Sequence, residues 1–111
     1  MADDKYIDVN SALNRVGGNE GLFKRLLGKF ETSIDMDEFN KAVNEQDNVH
    51  LGEIVHAAKG IAGNLSLTYF FNVSSTLMDQ LRDGGSPQQD DIEEFRVSYD
   101  ETLAAIKEYL G

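Results

Sequence analysis

The chain contains no cysteine and a single proline, Pro87. The lack of thiols excludes disulfides, thiolate metal sites and a cysteine nucleophile. No apolar run approaches the roughly 20 residues of a membrane-spanning helix. The opening Met1-Ala2-Asp3-Asp4-Lys5 has neither the basic region nor the apolar stretch of a signal peptide. Basic residues are also scarce, with 10 Lys and Arg against 20 Asp and Glu and a formal net charge of -10. That balance argues against nucleic acid as a partner, because a phosphate backbone is bound by a basic patch. It argues equally against an anionic membrane surface. The expectation is a soluble, cytoplasmic monomer with an acidic surface.

The 111 residues, 41% of them hydrophobic, suffice for one domain over 1–111 with a modest core. Sustained two-residue alternation is missing, so strands are not expected. Apolar residues instead recur with helical spacing. Leu22, Phe23, Leu26, Leu27, Phe30 and Ile34 form one stripe, and Met36, Phe39 and Val43 continue it on a neighbouring segment. Leu51, Ile54, Val55, Ala58, Ile61, Ala62 and Leu65 form the next. Leu67, Phe70, Phe71, Ser74, Leu77, Met78 and Leu81 follow, then Ile92, Phe95, Tyr99, Thr102, Leu103, Ile106 and Leu110. A short helix over residues 9–16 precedes them. Val16-Gly17-Gly18-Asn19 is a break with Asn19 as cap. Asp83-Gly84-Gly85-Ser86-Pro87 is another, with Ser86 expected as N-cap and Pro87 at the first helical position. Short connections make neighbouring helices antiparallel. The expected fold is all-α, an up-and-down antiparallel four-helix bundle with one or two short additional helices.

One helix carries more than a core stripe. Over residues 48–64 the apolar side chains fall within an arc of about 120°, and His56 lies outside it. Lys59 is at i+3 from His56, Gly60 at i+4, Gly63 at i+7 and Gly52 at i−4, so all five share one side of the helix. Each glycine within a helix costs about 1 kcal/mol relative to alanine. Their grouping around one histidine suggests a face cleared for the close approach of a partner backbone. A neutral imidazole nitrogen is a nucleophile toward phosphorus, and imidazole titrates near neutrality. Phosphoryl transfer asks a protein mainly for positioning and charge neutralisation. Lys59 supplies a cation for that purpose. His50 lacks the Lys and Gly neighbours and reads as structural. It is six residues from His56, too far for an i, i+4 metal pair.

The run His56-Ala57-Ala58-Lys59-Gly60-Ile61-Ala62-Gly63-Asn64-Leu65 resembles the signature of histidine-containing phosphotransfer (HPt) domains, roughly H-x-L-K-G-x-(A/S)-x-x-L-G. The likeness extends over residues 7–84. Ile7-Asp8-Val9, Leu13 and Gly17-Gly18-Asn19 are similar to the family's entry segment, and Leu77-Met78-Asp79-Gln80-Leu81-Arg82-Asp83-Gly84 to the end of the helix after the motif. The resemblance implies that His56 is the phosphoacceptor, that Lys59 assists the phosphoryl group and that Gly60 keeps the site open. Gly52, Gly63 and Arg82 complete the expected docking surface, with Arg82 as a second cation. The implied partner is a receiver domain of a response regulator or hybrid sensor histidine kinase. That partner brings the aspartate and Mg²⁺, while the HPt domain has no cofactor, metal, kinase or ATP site of its own. Three positions depart from the pattern. Ala58 replaces a common Leu. Ser66 replaces a common Gly and is expected to cap the next helix. Met78 stands where many members place a Gln or Glu that holds the imidazole. A helical docking module that binds a receiver-like partner without phosphotransfer is the alternative.

Overall fold

The computed structural model describes residues 5–111, so the leader reading at Met1-Ala2-Asp3-Asp4 lies outside the described residues. Among the described residues all regular structure is helical. The elements are α1 (Val9–Arg15), α2 (Glu20–Gly28), α3 (Phe30–Ser33), α4 (Met36–Asn44), α5 (Asn48–Leu65), α6 (Thr68–Leu81) and α7 (Gln89–Leu110), with a 3₁₀ turn at Arg82–Gly84. None of these helices is long and apolar enough to cross a membrane.

Local chemistry sets most of the helix starts. Asp8, Asn19, Asp35 and Asp47 each accept a hydrogen bond from the backbone N–H three residues on, at 3.0–3.1 Å. Each satisfies one of the donors that a helix N-terminus leaves open. Gly17 and Gly18 turn the chain from α1 into α2 with φ of +65° and +82°, a region open to glycine. The stripe from Leu22 to Ile34 is interrupted at Lys29, whose carbonyl accepts from both Thr32 Oγ1 and Ser33 Oγ. Ile34 is extended and separates α3 from α4.

Two expectations at helix ends are corrected. Ser66 does not cap α6. It closes α5 in the left-handed conformation at φ 57°, and its N–H donates to the Gly63 carbonyl. α6 starts at Thr68 without a side-chain cap. Likewise Ser86 and Pro87 precede α7 rather than begin it. Gln80 accepts the N–H of Gln88 at 2.8 Å and its amide reaches Asp91, which fixes the helix start at Gln89.

Hydrophobic burial joins these elements. α5 packs on α4 and α6, α6 on α7, and α2 on α7. The expected α5 stripe supplies Leu51, Val55, Ala58 and Ala62 to the interior, with no exposed surface. An aromatic cluster fills the space between α3, α4, α6 and α7. Phe39 stacks on Phe95 at 4.4 Å, Phe70 meets Phe95 at 5.0 Å and Phe30 at 5.5 Å, and Phe30 stacks on Tyr99 at 5.4 Å. Edge and offset ring contacts of this kind add to the area they bury.

Tyrosine hydroxyls tie α7 to its surroundings. Tyr6 donates to Glu101, Tyr69 on α6 to Glu94, Tyr99 to the Glu31 carbonyl and Tyr109 to Glu20 on α2. At the α5–α6 turn the entering chain is pinned by backbone bonds, Asp8 N–H to the Ser66 carbonyl at 2.9 Å and Tyr69 N–H to the Lys5 carbonyl at 2.8 Å.

Candidate functional site

α5 is an 18-residue helix with one buried stripe and one open side. His56 lies on the open side and is exposed, as are Ala57 and Gly60. A helical side chain leans toward the N-terminus of its own helix. The surroundings of His56 follow that rule. It lines a groove of about 370 Å³ with Asn48, Val49, Gly52 and Glu53 from the preceding turns of α5, and with Met78, Leu81 and Arg82 across the way. The pairing of Gly52 with Arg82 and of Gly63 with Phe71 shows that α5 and α6 run in opposite directions.

The structure thus brings His56, Gly52, Met78 and Arg82 together in one groove. Arg82 is exposed and pairs with Asp79 at 2.9 Å, one turn back on α6. An exposed pair of this kind is weak, so the guanidinium is readily shared with an incoming anion. Met78 lines the groove with a thioether, which is only a weak acceptor and cannot hold a ring as an amide or carboxylate does. No hydrogen bond or ion pair to the His56 imidazole forms among the described residues. The histidine therefore stands in the groove without a holder.

Lys59 and Gly63 belong to the next stretch of the same side. The Lys59 ammonium lies 5.7 Å from the centre of the Phe71 ring, within cation–π range, rather than lining the groove with His56. A Cβ at Gly63 would come within 3.3 Å of Phe71 Cε1. Its missing side chain therefore has an internal use, the close packing of α6 on α5. Gly52 and Gly60 differ, since a Cβ there meets nothing within 4 Å. Internal packing does not explain these two glycines.

His50 is built differently. Its Nε2 meets Glu38 on α4 at 3.1 Å and its Nδ1 meets Glu53 on α5 at 3.3 Å. The bond to Glu53, then that to Glu38, raises its pKa above the ordinary histidine value. This ring clasps α4 to α5. Among the described residues no three His, Asp or Glu side chains are grouped to hold a metal ion.

Some groove residues were not singled out by sequence reasoning. Val49, at 79% the most exposed large apolar side chain among the described residues, sits two turns before His56, and Glu53 sits one turn before it. Their spacings of seven and three residues were the available signal. The exposed valine reads as surface until α6 closes the other wall.

No family model matches the chain. No curated protein shows a significant similarity to it, and neither does any solved structure.

Proposed function

We propose that this chain is a histidine phosphotransfer domain of a two-component phosphorelay. His56 would take a phosphoryl group from a receiver-domain aspartate and pass it to another receiver domain, or back. The observation that carries the reading is an exposed, unpartnered His56 between two glycines, Gly52 and Gly60, that have open space where a Cβ would lie. The fold that goes with it is one domain, an up-and-down antiparallel four-helix bundle whose walls are the α2–α4 series, α5, α6 and α7.

In the transfer, a neutral ring nitrogen of His56 attacks phosphorus. The P–O bond to the aspartyl carboxylate breaks, and the carboxylate leaves with the electron pair as the N–P bond forms. Arg82 from within the groove, and Lys59 once its ammonium swings off the Phe71 ring, offset charge on the phosphoryl oxygens, which is the main electrostatic demand of the step. Mg²⁺ is expected on the partner receiver domain, and this chain acts as a carrier rather than a kinase, in the cytoplasm.

The test is incubation with phosphorylated receiver domains. Label is expected on the wild type, acid-labile and base-stable as phosphohistidine is, and absent from His56→Gln with the helical fold retained. Full labelling of that variant would sink the proposal. One observation favours a second reading, docking without transfer. Met78 leaves the His56 ring without a polar holder, and under that reading His56→Gln binds a receiver domain as the wild type does.

A further inference from the structure

We propose that Glu53 is the positioning residue of His56, shared between the two histidines of α5 and released by His50 when that ring loses its proton. The inference rests on the phosphotransfer reading for its purpose, since it names what orients the nucleophile where Met78 cannot.

The geometry comes from one helix. His50, Glu53 and His56 follow one another at three-residue steps, so Glu53 is one turn from each ring. Side chains at this spacing are neighbours on a helix surface. Glu53 already reaches one of them, accepting from His50 Nδ1 at 3.3 Å, and it lines the groove into which His56 opens. His56 leans toward the Glu53 turn by the ordinary tilt of helical side chains. Met78 offers only a weak thioether acceptor in competition. Arg82, across the groove, is paired with Asp79.

His50 also supplies a template for which nitrogen does what. There the carboxylate on the same helix meets Nδ1, while Nε2 points away from the helix to a group on another element. Glu53 is at i+3 from His50 but at i−3 from His56; the same division of roles at His56 has Glu53 accept from Nδ1–H and leave the Nε2 lone pair for phosphorus. A carboxylate on one ring nitrogen fixes the tautomer and raises the basicity of the other. After attack, the Nδ1 proton stays in the bond to Glu53 and the carboxylate offsets the charge of the phosphoimidazolium.

Protonation decides which histidine holds Glu53. The charged groups facing His50 are Glu38 from α4, Glu53 from its own helix and Asp47 at the helix start. While His50 is cationic, its charge-assisted bond keeps Glu53. Once His50 is neutral it has a single N–H; kept on Nε2 in the shorter bond to Glu38 at 3.1 Å, it leaves Nδ1 with nothing to donate, and Glu53 turns to His56.

The test uses the full chain and needs no partner. Imidazole ¹⁵N shifts followed with pH report the tautomer of His56. Phosphoramidate serves as a small phosphodonor: its P–N bond breaks, ammonia leaves with the electron pair, and the N–P bond forms on the ring. In the wild type, the Nδ1–H tautomer of His56 is expected to grow as His50 discharges, and labelling to accelerate with it. Glu53→Gln should lose the tautomer preference and label more slowly, on the order of tenfold, the scale of an outer hydrogen-bond partner. His50→Gln should label faster than wild type at a pH where the wild-type His50 is still charged. Wild-type tautomer and rate in Glu53→Gln overturn the inference while leaving the carrier reading intact. Conversely, failure of receiver domains to label the wild type removes the carrier reading, and the shifts still decide the role of Glu53.

Discussion

Gly60 lies inside α5, exposed, with nothing within 4 Å of the place a Cβ would occupy. Alanine there recovers about 1 kcal/mol, the cost of glycine within a helix. Gly60→Ala is therefore expected to raise stability by about that amount, read as a higher midpoint in thermal melts. If the chain is the phosphocarrier proposed above, the new methyl stands where the partner's backbone would come, and uptake from a receiver domain is expected to slow. Unchanged uptake would show that the space is not used. The same change at Gly63 gains less, since its Cβ meets the Phe71 ring at 3.3 Å. At this scale the His56 pattern was legible in the sequence because it is local, set by the turn of a single helix. Ser66 was not. Its left-handed φ arises from how α5 must end before α6 can begin, and a serine in sequence looks like a cap.

Between elements, the join of α6 to α7 leaves no room for a side chain at Gly85. A Cβ at Gly85 would lie 2.2 Å from the Gln80 backbone carbonyl oxygen. The chain there has no flexible side chain to yield. Gly85→Ala is expected to cost about 2–3 kcal/mol, at the upper end of overpacking penalties, measured as a lower midpoint in urea. A midpoint equal to the wild type would mean that the turn rearranges at no cost. The elements themselves were legible from apolar period, α5 and α6 nearly to the residue. Their ends were less so where distant groups decide. Gln80 moves the start of α7 past Ser86 and Pro87 by holding the Gln88 N–H. Lys29 interrupts a stripe whose spacing runs straight through it, because hydroxyls at Thr32 and Ser33 take its carbonyl. The groove beside His56 depends on which residues of α6 face α5. The sequence put Met78 and Arg82 one turn apart but left Val49 and Glu53 among ordinary surface positions.

At the scale of the whole molecule, α7 is the helix to which the tyrosines are tied. Burial first, and the Glu94 carboxylate second, push the Tyr69 hydroxyl up to about 12. Burial is also the leading cause of the rise at Tyr99 and Tyr109. A folded value above the unfolded value of 10 means stabilisation that is complete below pH 10 and is lost as the pH climbs toward about 12. Alkaline titration should therefore show tyrosinate absorbance and loss of helical circular dichroism rising together in that window. Ionisation of Tyr69 near pH 10 with the helices intact would contradict it. The all-helical architecture was legible in the sequence, since period and break residues repeat along the chain. The hydroxyl ties were not, because they join residues as far apart as Tyr6 and Glu101. The same ties make the protein its own optical reporter. There is no tryptophan, so ultraviolet emission comes from four tyrosines alone. Three of their hydroxyls donate to carboxylates, an arrangement that quenches the excited phenol, and none of the four lines the groove at His56. Intrinsic emission will brighten when the helices come apart and stay dim when only that groove is filled, so one cuvette distinguishes unfolding from docking.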